Sequence, residues 1–592
     1  MGIVVSPHQI EAIESFRDRH TVVNSVAGSG KSTLLELAAQ DLIGKNVSSK
    51  NIVVVVFSKP VRQALVNKFS SEEQNLLRID WSRQIKTFNS IGYTMLRQYL
   101  GTQEKVYVEK NKYRSICNQL DIWEGLKTKP VHDKKTVYRV IDCLRHNLMT
   151  VCLESIQQIR KSGVVEGIFD EQWVATVAEL AIREGYRQAV EERVVDFVDQ
   201  IYLPSVMNLT WQYSPINYLL VDECQDLSVA KRALTYRLMH EKTKVLAVGD
   251  PRQAIFAFAG SHSGSFYQLQ EDLMANQLVL PVCYRCHKKA INLVNRLFPD
   301  IPIVPRPGAP DGVVEVVTDQ DLMKPDSQAY LLNKREALII SRRKEPLVTK
   351  ALNLMKNGVS ISLILGTEVQ ERLENWVDGL ADINGFNLAE FEAFCAQYLT
   401  MRIEMLKDAD NKEAAILRER DTYQCILTIQ KSYKDEVVNI EVLKHKIEVL
   451  FKESSSAKIK LCSIHKAKGL EAEVVYILEP ETLPLKLEGM TEEQLLQEEN
   501  LLYVALTRAK QGIFILGTAW WLVSDLSSAK VTSVDLNTDD KPEDTANLTV
   551  DKVIQLIDDW NVGSLVELKD KRDSLVSSKE VASVFKEIDR RS

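Results

Sequence analysis

A glycine-rich turn near the N-terminus constrains the fold of this 592-residue chain more than any other feature. An apolar run at 21–26 leads into Ser25-Val26-Ala27-Gly28-Ser29-Gly30-Lys31-Ser32, and a helical pattern begins at Thr33. A strand, a glycine-rich turn and a helix in this order are the context that a phosphate-binding loop requires, because backbone N–H groups and the helix N-terminus together cradle an anion. A chance glycine-rich turn is the alternative. The pattern predicts that Lys31 reaches the β- and γ-phosphates of a nucleotide and that Ser32 ligates Mg²⁺. Ser25 replaces the glycine that usually begins this pattern.

A second apolar run ends in carboxylates. Residues 218–221 are followed by Asp222-Glu223-Cys224-Gln225-Asp226. Asp222 is placed to hold Mg²⁺, directly or through water, and Glu223 is placed to polarise an attacking water. Acids at the end of a buried strand also serve as simple surface caps. The phosphate-binding loop in the same chain favours the catalytic interpretation.

Two sets of apolar runs predict two parallel β-sheets. Runs of the first set alternate with helical patterns, as strands do in a parallel α/β sheet. They lie at 21–26, 52–57, 218–221 and 244–248. Runs of the second set lie at 315–317, 337–340, 459–463, 474–478 and 512–516. The predicted fold class is α/β, with two sheet domains that are each interrupted by a helical insertion.

The same patterns predict the domain boundaries. The first sheet domain comprises 1–100 and 195–276, and the second comprises 277–366 and 457–525. Helix-rich stretches at 101–194 and 367–456 form the two insertions. A polar stretch rich in Asp, Thr and Lys follows, so 526–592 is predicted to be a linker and a helical tail.

Charge and hydropathy exclude several classes of protein. The net charge is −7, so any contact with nucleic acid must come from a local basic groove. No apolar run reaches the ~18 residues that span a bilayer, and the N-terminus lacks the basic start and apolar core that are typical of a signal peptide. We therefore expect no membrane association. The nine cysteines are scattered, as is typical of reduced thiols in the cytoplasm.

Two arginines are candidates for stabilising the charge that develops in phosphoryl transfer. Arg285 ends the segment Pro281-Val282-Cys283-Tyr284-Arg285, and Arg508 follows Leu502-Tyr503-Val504-Ala505-Leu506-Thr507. Taken alone, either arginine is more typical of a surface salt bridge.

These segments, in this order, resemble the UvrD/Rep/PcrA family of superfamily 1 DNA helicases. The resemblance extends from Ser6 to about Gly517, with gaps at the two insertions. It implies two RecA-like P-loop domains, ATP and Mg²⁺ as cofactors, and ATP-driven movement 3′ to 5′ on single-stranded DNA in replication, recombination or repair. Gly249-Asp250-Pro251-Arg252-Gln253 and Lys86-Thr87-Phe88-Asn89-Ser90 are closest in character to the helicase part of F-box DNA helicases and their phage and bacterial relatives.

The resemblance implies a role for each residue of the nucleotide site. Gln9 would read adenine and Tyr284 would stack on it, while Glu471 would lie near the ribose. Gln253 would sense the γ-phosphate, and Arg285 and Arg508 would act as arginine fingers. The phosphate loop itself would contribute Ala27, Gly28, Ser29, Gly30, Lys31, Ser32 and Thr33.

It also implies a track for a nucleic-acid strand, in which aromatic rings stack on bases without regard to sequence. The implied contacts are Phe57, Lys59, Thr87, Phe88, Asn89, Phe256, Phe258, His465 and Lys468. Core packing is the alternative for the aromatic residues, and for Phe57 the two interpretations have equal weight. The implied partners are single-stranded DNA and its junctions with duplex, so the protein would act in the cytoplasm at the nucleoid, or on nuclear DNA.

Three departures from the family pattern leave alternatives open. Phe258 stands in place of the family's Trp, and Ala259 in place of its Arg. The insertion at 367–456 is shorter than in Rep or PcrA, which favours translocation over processive unwinding. A filament-clearing anti-recombinase with little unwinding is therefore one alternative to the helicase, and a nucleotide-switched subunit of a repair or defence complex is a second. In the second case the tail after Trp521 would dock a protein partner; a disordered, solubilising terminus is the alternative.

Overall fold

The computed structural model describes residues 5–70, 79–101, 105–119, 134–162, 165, 170–255, 264–300, 302–324, 327, 329, 335–407, 412–452 and 457–522. Its strands are β1 Thr21–Ser25, β2 Ile52–Val56, β3 Ile85–Thr87, β4 Tyr107–Val108, β5 Val194–Val195, β6 Tyr218–Val221, β7 Lys244–Gly249, β8 Asn276–Leu280, β9 Val282–Cys283, β10 Val304–Pro305, β11 Val313–Val316, β12 Ala337–Ser341, β13 Ile361–Ile364, β14 Ile459–Ser463, β15 Ala472–Leu478 and β16 Ala509–Leu516.

Its α-helices are α1 Pro7–Asp18, α2 Lys31–Gly44, α3 Lys59–Phe69, α4 Phe88–Leu100, α5 Lys112–Gln119, α6 Lys134–His146, α7 Leu153–Lys161, α8 Glu171–Arg187, α9 Asp199–Val206, α10 Val229–Arg237, α11 Ser265–Asp272, α12 Lys288–Leu297, α13 Glu345–Lys356, α14 Thr367–Ala381, α15 Phe391–Glu404, α16 Lys412–Ser432, α17 Ile440–Leu450, α18 Ile464–Ala467 and α19 Glu492–Leu506. In the described ranges, no helix has the length and apolarity needed to cross a bilayer.

The first sheet forms the core of one lobe. Its strands are parallel and follow the order β3-β2-β6-β7-β1-β8. Helices α1, α2 and α3 bury apolar side chains on one face, and α4, α9, α10 and α11 do so on the other. Strands covered on both faces must be apolar along their whole length, which explains the fully buried Ile52–Val56 run. The resulting α/β architecture matches the predicted class.

The predicted boundary between residues 276 and 277 is wrong. It cuts into β8, which pairs with β1 in register from Thr21 opposite Asn276 to Ser25 opposite Leu280. The first sheet therefore extends to Leu280. The strand lies at the edge of the sheet, and its side chains alternate between partly buried and exposed positions up to the buried Leu280. Its sequence consequently lacks the continuous apolar run that marked the central strands.

The second sheet forms the core of the other lobe. Its strands are parallel and follow the order β11-β16-β15-β12-β14-β13. One face packs against α12, α18 and α19, and this core also contains Val26, Ala27 and Ile255 of the first lobe. The start of the phosphate loop thus rests on the core of the second lobe.

The second insertion shares its core with the second lobe. Side chains of α14, α15, α16 and α17 belong to the same buried cluster as those of α13 and strands β12, β14 and β15. Asp421 of α16 also accepts hydrogen bonds from the backbone N–H groups of Lys344 and Glu345, at 3.2 and 3.0 Å. The insertion is therefore packed continuously onto the sheet and is not an independent body.

The first insertion has a core of its own, formed by apolar side chains of α5, α6, α7 and α8. Buried charges tie it to the first lobe. Lys112 donates to Asp199 at 2.7 Å and to the Gly185 carbonyl at 2.6 Å. Arg145 donates to both Asp196 and Asp199 at 2.9 Å and lies over the ring of Tyr113. Lys112, Arg145 and Asp199 are fully buried, so these bonds exclude water.

We expect Lys112→Met to destabilise the attachment of the first insertion by about 3 kcal/mol, because it removes one partner of a buried ion pair. Hydrogen exchange of the α5 and α8 amides checks this, since local opening should raise their exchange rates. The exposed neighbour Lys110 provides the control, and Lys110→Met should leave exchange unchanged. Equal exchange in the two variants would contradict the anchoring role.

Candidate functional site

The phosphate loop connects the buried strand β1 to α2. Gly28 and Gly30 adopt positive φ values of 70° and 86°, which L side chains rarely adopt. A Cβ atom at Gly28 would lie 2.7 Å from the Cβ of Arg285 in the second lobe. Gly28 is therefore required both for the turn and for the close approach of the two lobes.

One atom of the loop fits an anionic ligand. The Ser29 hydroxyl is buried and has no hydrogen-bond partner among the described residues. Gly30 caps α2 without a side-chain bond, so the first N–H groups of the helix point into the loop. Buried polar groups are normally satisfied, and a phosphate oxygen would satisfy these. The loop thus meets the requirements of the predicted triphosphate.

The flanking residues are held by specific bonds. The Gln9 amide oxygen accepts the Ser6 N–H at 3.0 Å in a capping box, and its Nε2 would lie 3.5 Å from a Cβ at Gly30. The predicted adenine-reading residue therefore lies beside the phosphate loop. Thr33 accepts from Lys68 at 2.8 Å, and Ser32 lies in the first turn of α2 between Lys31 and Thr33.

The two acids after β6 face the same loop. Burial and the neighbouring Glu223 raise the pKa of Asp222 to about 7. Burial also opposes ionisation of Glu223, but Lys31 and Lys468 outweigh it, so the pKa of Glu223 lies below its usual value. Lys31 Nζ lies 3.8 Å from the Glu223 carboxylate. An ionised Glu223 beside the phosphate-binding lysine has the charge state that a proton acceptor needs.

Polar side chains connect these acids to the end of β7. Gln225 donates to Glu223 at 2.6 Å and accepts the Asp250 N–H at 3.0 Å. Gln253 donates to Asp250 at 2.6 Å. Because hydrogen bonds through the Asp250 backbone and side chain connect Gln253 to Gln225 and Glu223, displacement of Gln253 would be transmitted to Glu223.

The second lobe inserts three side chains into this network. Arg508 is 1% exposed and lies 3.5 Å from the Gln253 amide oxygen, and burial lowers its pKa to about 10. Tyr503 donates to Asp250 at 3.2 Å and accepts the Ala27 N–H at 3.0 Å. Lys468 donates to Asp226 at 2.5 Å and to the Gln253 carbonyl at 2.6 Å. One site is therefore built from both lobes.

The other predicted second-lobe residues form a neighbouring group. Arg285 donates to Glu471 at 2.7 Å and to the Thr507 carbonyl at 3.2 Å. Lys510 lies 2.7 Å from the same Glu471 carboxylate. Tyr284 is 41% exposed, and its N–H donates to the Gly28 carbonyl at 2.9 Å. The backbone of Tyr284 and the side chain of Arg285 thus lie beside the phosphate loop, whereas Arg508 lies beside Gln253.

Comparison with known families decides the class of protein. Residues 5–274 match the UvrD/REP helicase N-terminal domain, and residues 320–519 match the UvrD-like helicase C-terminal domain. The chain belongs to the UvrD/Rep helicase family. Its members depend on ATP, and this helicase is an enzyme of that class.

Individual relatives agree with this assignment. The helicase is 22% identical over 515 residues to a probable DNA helicase of Mycoplasma pneumoniae, covering 84% of this chain and 80% of that protein. It is 26% identical over 312 residues to the ATP-dependent DNA helicase PcrA of Staphylococcus epidermidis, and 24% identical over 309 residues to PcrA of Staphylococcus aureus. Each PcrA alignment covers 50% of this chain and 40% of PcrA.

Some predicted strand contacts of the helicase lie on its surface. Lys59 is exposed at the start of α3. Asn89 is partly exposed, and its amide donates to the carbonyl of the exposed Phe197 at 2.6 Å. The Phe57 ring packs against the first-lobe core but is also partly exposed, so it fits both core packing and contact with a strand. The centre of this ring lies 4.1 Å from Lys231 Nζ. His465 is partly exposed, and burial lowers its pKa well below the usual value, so the imidazole is neutral at pH 7. Phe256 and Phe258 fall outside the described residues.

Three predicted strand contacts have other positions. Phe88 is 1% exposed in the first-lobe core, so its ring is not available for stacking. Thr87 is buried and caps α4 through the Ser90 N–H. Lys468 points to Asp226 in the nucleotide site and not to the surface. Their side-chain directions follow from tertiary packing, which the motif pattern does not specify.

Sequence reasoning missed a face of α19. Asn500 donates to the Ala254 carbonyl at 3.0 Å and Tyr503 accepts the Ala27 N–H, so both residues contact the first lobe. Their spacing of three residues places them on one side of the helix. Polar residues at this spacing from Asn500 onward, where the helix is otherwise apolar, were the available signal.

Proposed function

We propose that this helicase hydrolyses ATP in the cleft between its lobes and moves 3′ to 5′ along single-stranded DNA. The observation that carries the proposal is the contact of Arg508, from the second lobe, with Gln253 beside the phosphate loop of the first. A triphosphate there would bind both lobes at once. Its hydrolysis would weaken that joint binding and let the cleft open.

The chemistry follows from the side chains present. Lys31 and the loop N–H groups would bind the β- and γ-phosphates, and Gln9 and Tyr284 would hold the base. Asp222 and Ser32 would hold Mg²⁺, which supplies charge neutralisation at the phosphates. Glu223 would orient the attacking water and accept its proton. Arg285 and Arg508 would balance the charge that develops on the transferred group.

Movement requires that the two lobes grip a strand differently in the open and closed states. The Tyr503, Lys468 and Arg508 contacts with the first lobe would be bonds of the closed state. Phe57, Lys59 and Asn89 of the first lobe would contact the strand, together with Phe256 and Phe258. His465 would contact it from the second lobe. Each cycle of closure and opening would then advance the strand.

We expect single-stranded DNA to raise steady-state ATP turnover severalfold and duplex DNA to do so weakly. The measurement is ATPase activity titrated with oligo(dT), blunt duplex and single-stranded RNA, followed by displacement of a blocking protein from either end of the strand. Movement toward the 5′ end supports the proposed direction. Turnover that no nucleic acid changes would contradict the motor and favour a nucleotide-switched subunit.

A further inference from the structure

Asp226, in the segment after β6, has two oxygens with different surroundings. Oδ2 accepts from Lys468 Nζ at 2.5 Å. Oδ1 is buried and has no hydrogen-bond partner in the described part of the chain. A carboxylate accepts at both oxygens, and a buried oxygen without a donor is unfavourable. Asp226 therefore has an unfilled position for a second donor.

A second cation, Lys231, lies on the helix that follows Asp226. Lys231 is on α10, which begins three residues after Asp226 behind the N-cap Ser228. Its ammonium lies 4.1 Å from the centre of the Phe57 ring. Burial lowers the pKa of Lys231 to about 8, and the charge of Asp226 acts in the opposite direction. The two groups therefore interact although Lys231 is placed over the ring.

The bond between Asp226 and Lys468 depends on cleft closure. Lys468 belongs to the second lobe, and its ammonium is held between Asp226 and the Gln253 carbonyl of the first. When the lobes separate, Asp226 loses this cation. Separation of the lobes then leaves the carboxylate without its cation, which favours a replacement charge.

We propose that Lys231 is a positioning residue that exchanges partners with the state of the cleft. In the closed state Lys468 neutralises Asp226, and the Lys231 ammonium covers one face of the Phe57 ring. In the open state Lys231 bonds to Asp226 and uncovers that face for a base. This inference rests on the proposed function, because only a protein that binds a nucleic-acid strand would place a base on the Phe57 ring.

The ring itself is held in place, which makes the ammonium the moving part. Phe57 meets Phe88 edge to face, with ring centres 5.7 Å apart and an interplanar angle of 69°. Phe88, the first residue of α4, is buried in the first-lobe core. A lysine has four rotatable side-chain bonds and can shift its ammonium without backbone movement.

The test is the affinity for labelled oligo(dT), measured by fluorescence anisotropy without nucleotide and with a non-hydrolysable ATP analogue plus Mg²⁺. In the wild type we expect the ratio of the Kd with the ATP analogue to the Kd without nucleotide to be about 5 to 150, the usual range of coupling between sites. Lys231→Met keeps the bulk of the stem and removes the charge, so the ratio should fall to within about twofold. Lys231→Arg should retain most of it. The exposed Lys242, in the turn before β7, gives the matched control Lys242→Met, which should keep the wild-type ratio.

A folded Lys231→Met variant with the wild-type ratio would overturn the exchange. Phe57→Leu tests the same inference without altering Lys231, and it should also lose the ratio because the alternative partner is gone. A Phe57→Leu variant that keeps the wild-type ratio of Kd values would also overturn the proposed exchange. A ratio of one in the wild type would overturn it too. If the wild type binds no oligonucleotide and its ATPase does not respond, the proposed function fails instead.

Discussion

Glu223→Gln should lower ATP turnover by roughly 10²- to 10⁴-fold, the contribution expected of a positioned general base. The substitution keeps the size of the side chain and an oxygen that can accept the 2.6 Å hydrogen bond from Gln225. It removes the negative charge that faces Lys31 at 3.8 Å. Because the phosphate loop is untouched, ATP should still bind. The variant should therefore lose hydrolysis and keep affinity.

Single-turnover hydrolysis and the Kd of a fluorescent ATP analogue measure these two quantities separately. Glu241 is exposed in the turn before β7, so Glu241→Gln is a control with the same change of charge. Near-normal turnover in Glu223→Gln would remove Glu223 from the reaction. Loss of ATP binding without loss of stability would assign it to the binding of ATP.

Arg508→Ala should lower turnover by roughly 10³-fold or more, on the scale of other arginine fingers. The guanidinium is the second-lobe cation that lies beside Gln253, and its other bonds go to the Val504 and Leu470 carbonyls and the Thr507 hydroxyl. None of these hydrogen-bond partners is a carboxylate that would neutralise the guanidinium. Its positive charge can therefore stabilise the negative charge that develops on the phosphate. ATP binding, which depends on the first-lobe loop, should be largely retained.

Truncation of this buried side chain also leaves carbonyl groups unsatisfied, so stability must be measured beside activity. Thermal unfolding provides that measurement, and Arg508→Lys keeps the charge while losing the planar fork. Arg335 is an exposed arginine of the same lobe and gives the control Arg335→Ala. Turnover within about tenfold of the wild type in a stable Arg508→Ala variant would contradict the arginine-finger role.

The sequence predicted what depends on local order along the chain. The phosphate loop and the Asp222–Glu223 pair each follow an apolar strand, and the carboxyl ends of parallel strands meet at one edge of a sheet. Their proximity could therefore be inferred. The contribution of Tyr503 could not, because it depends on how α19 packs across the lobe interface.

The direction of individual side chains also could not be predicted from the sequence. Phe88 and Lys468 belong to segments whose family likeness is clear, yet one ring is buried and one ammonium points to Asp226. A motif places a residue along the chain, whereas packing decides which way it faces. Strand β8 was missed for a related reason, since an edge strand with alternating exposure resembles the start of a new segment.

The two insertions are attached by different physical means, and this gives them different mechanical properties. The second insertion shares an apolar core with its sheet, so a force applied to α14–α17 should be transmitted to the second lobe with little deformation of the junction. The first has a separate core and is joined to the first lobe by a small apolar cluster around Leu96 and Val106 and by buried ionic contacts around Arg145 and Asp199, which weaken once water enters. Under tension from a strand, the junction at the first insertion should yield before the junction at the second.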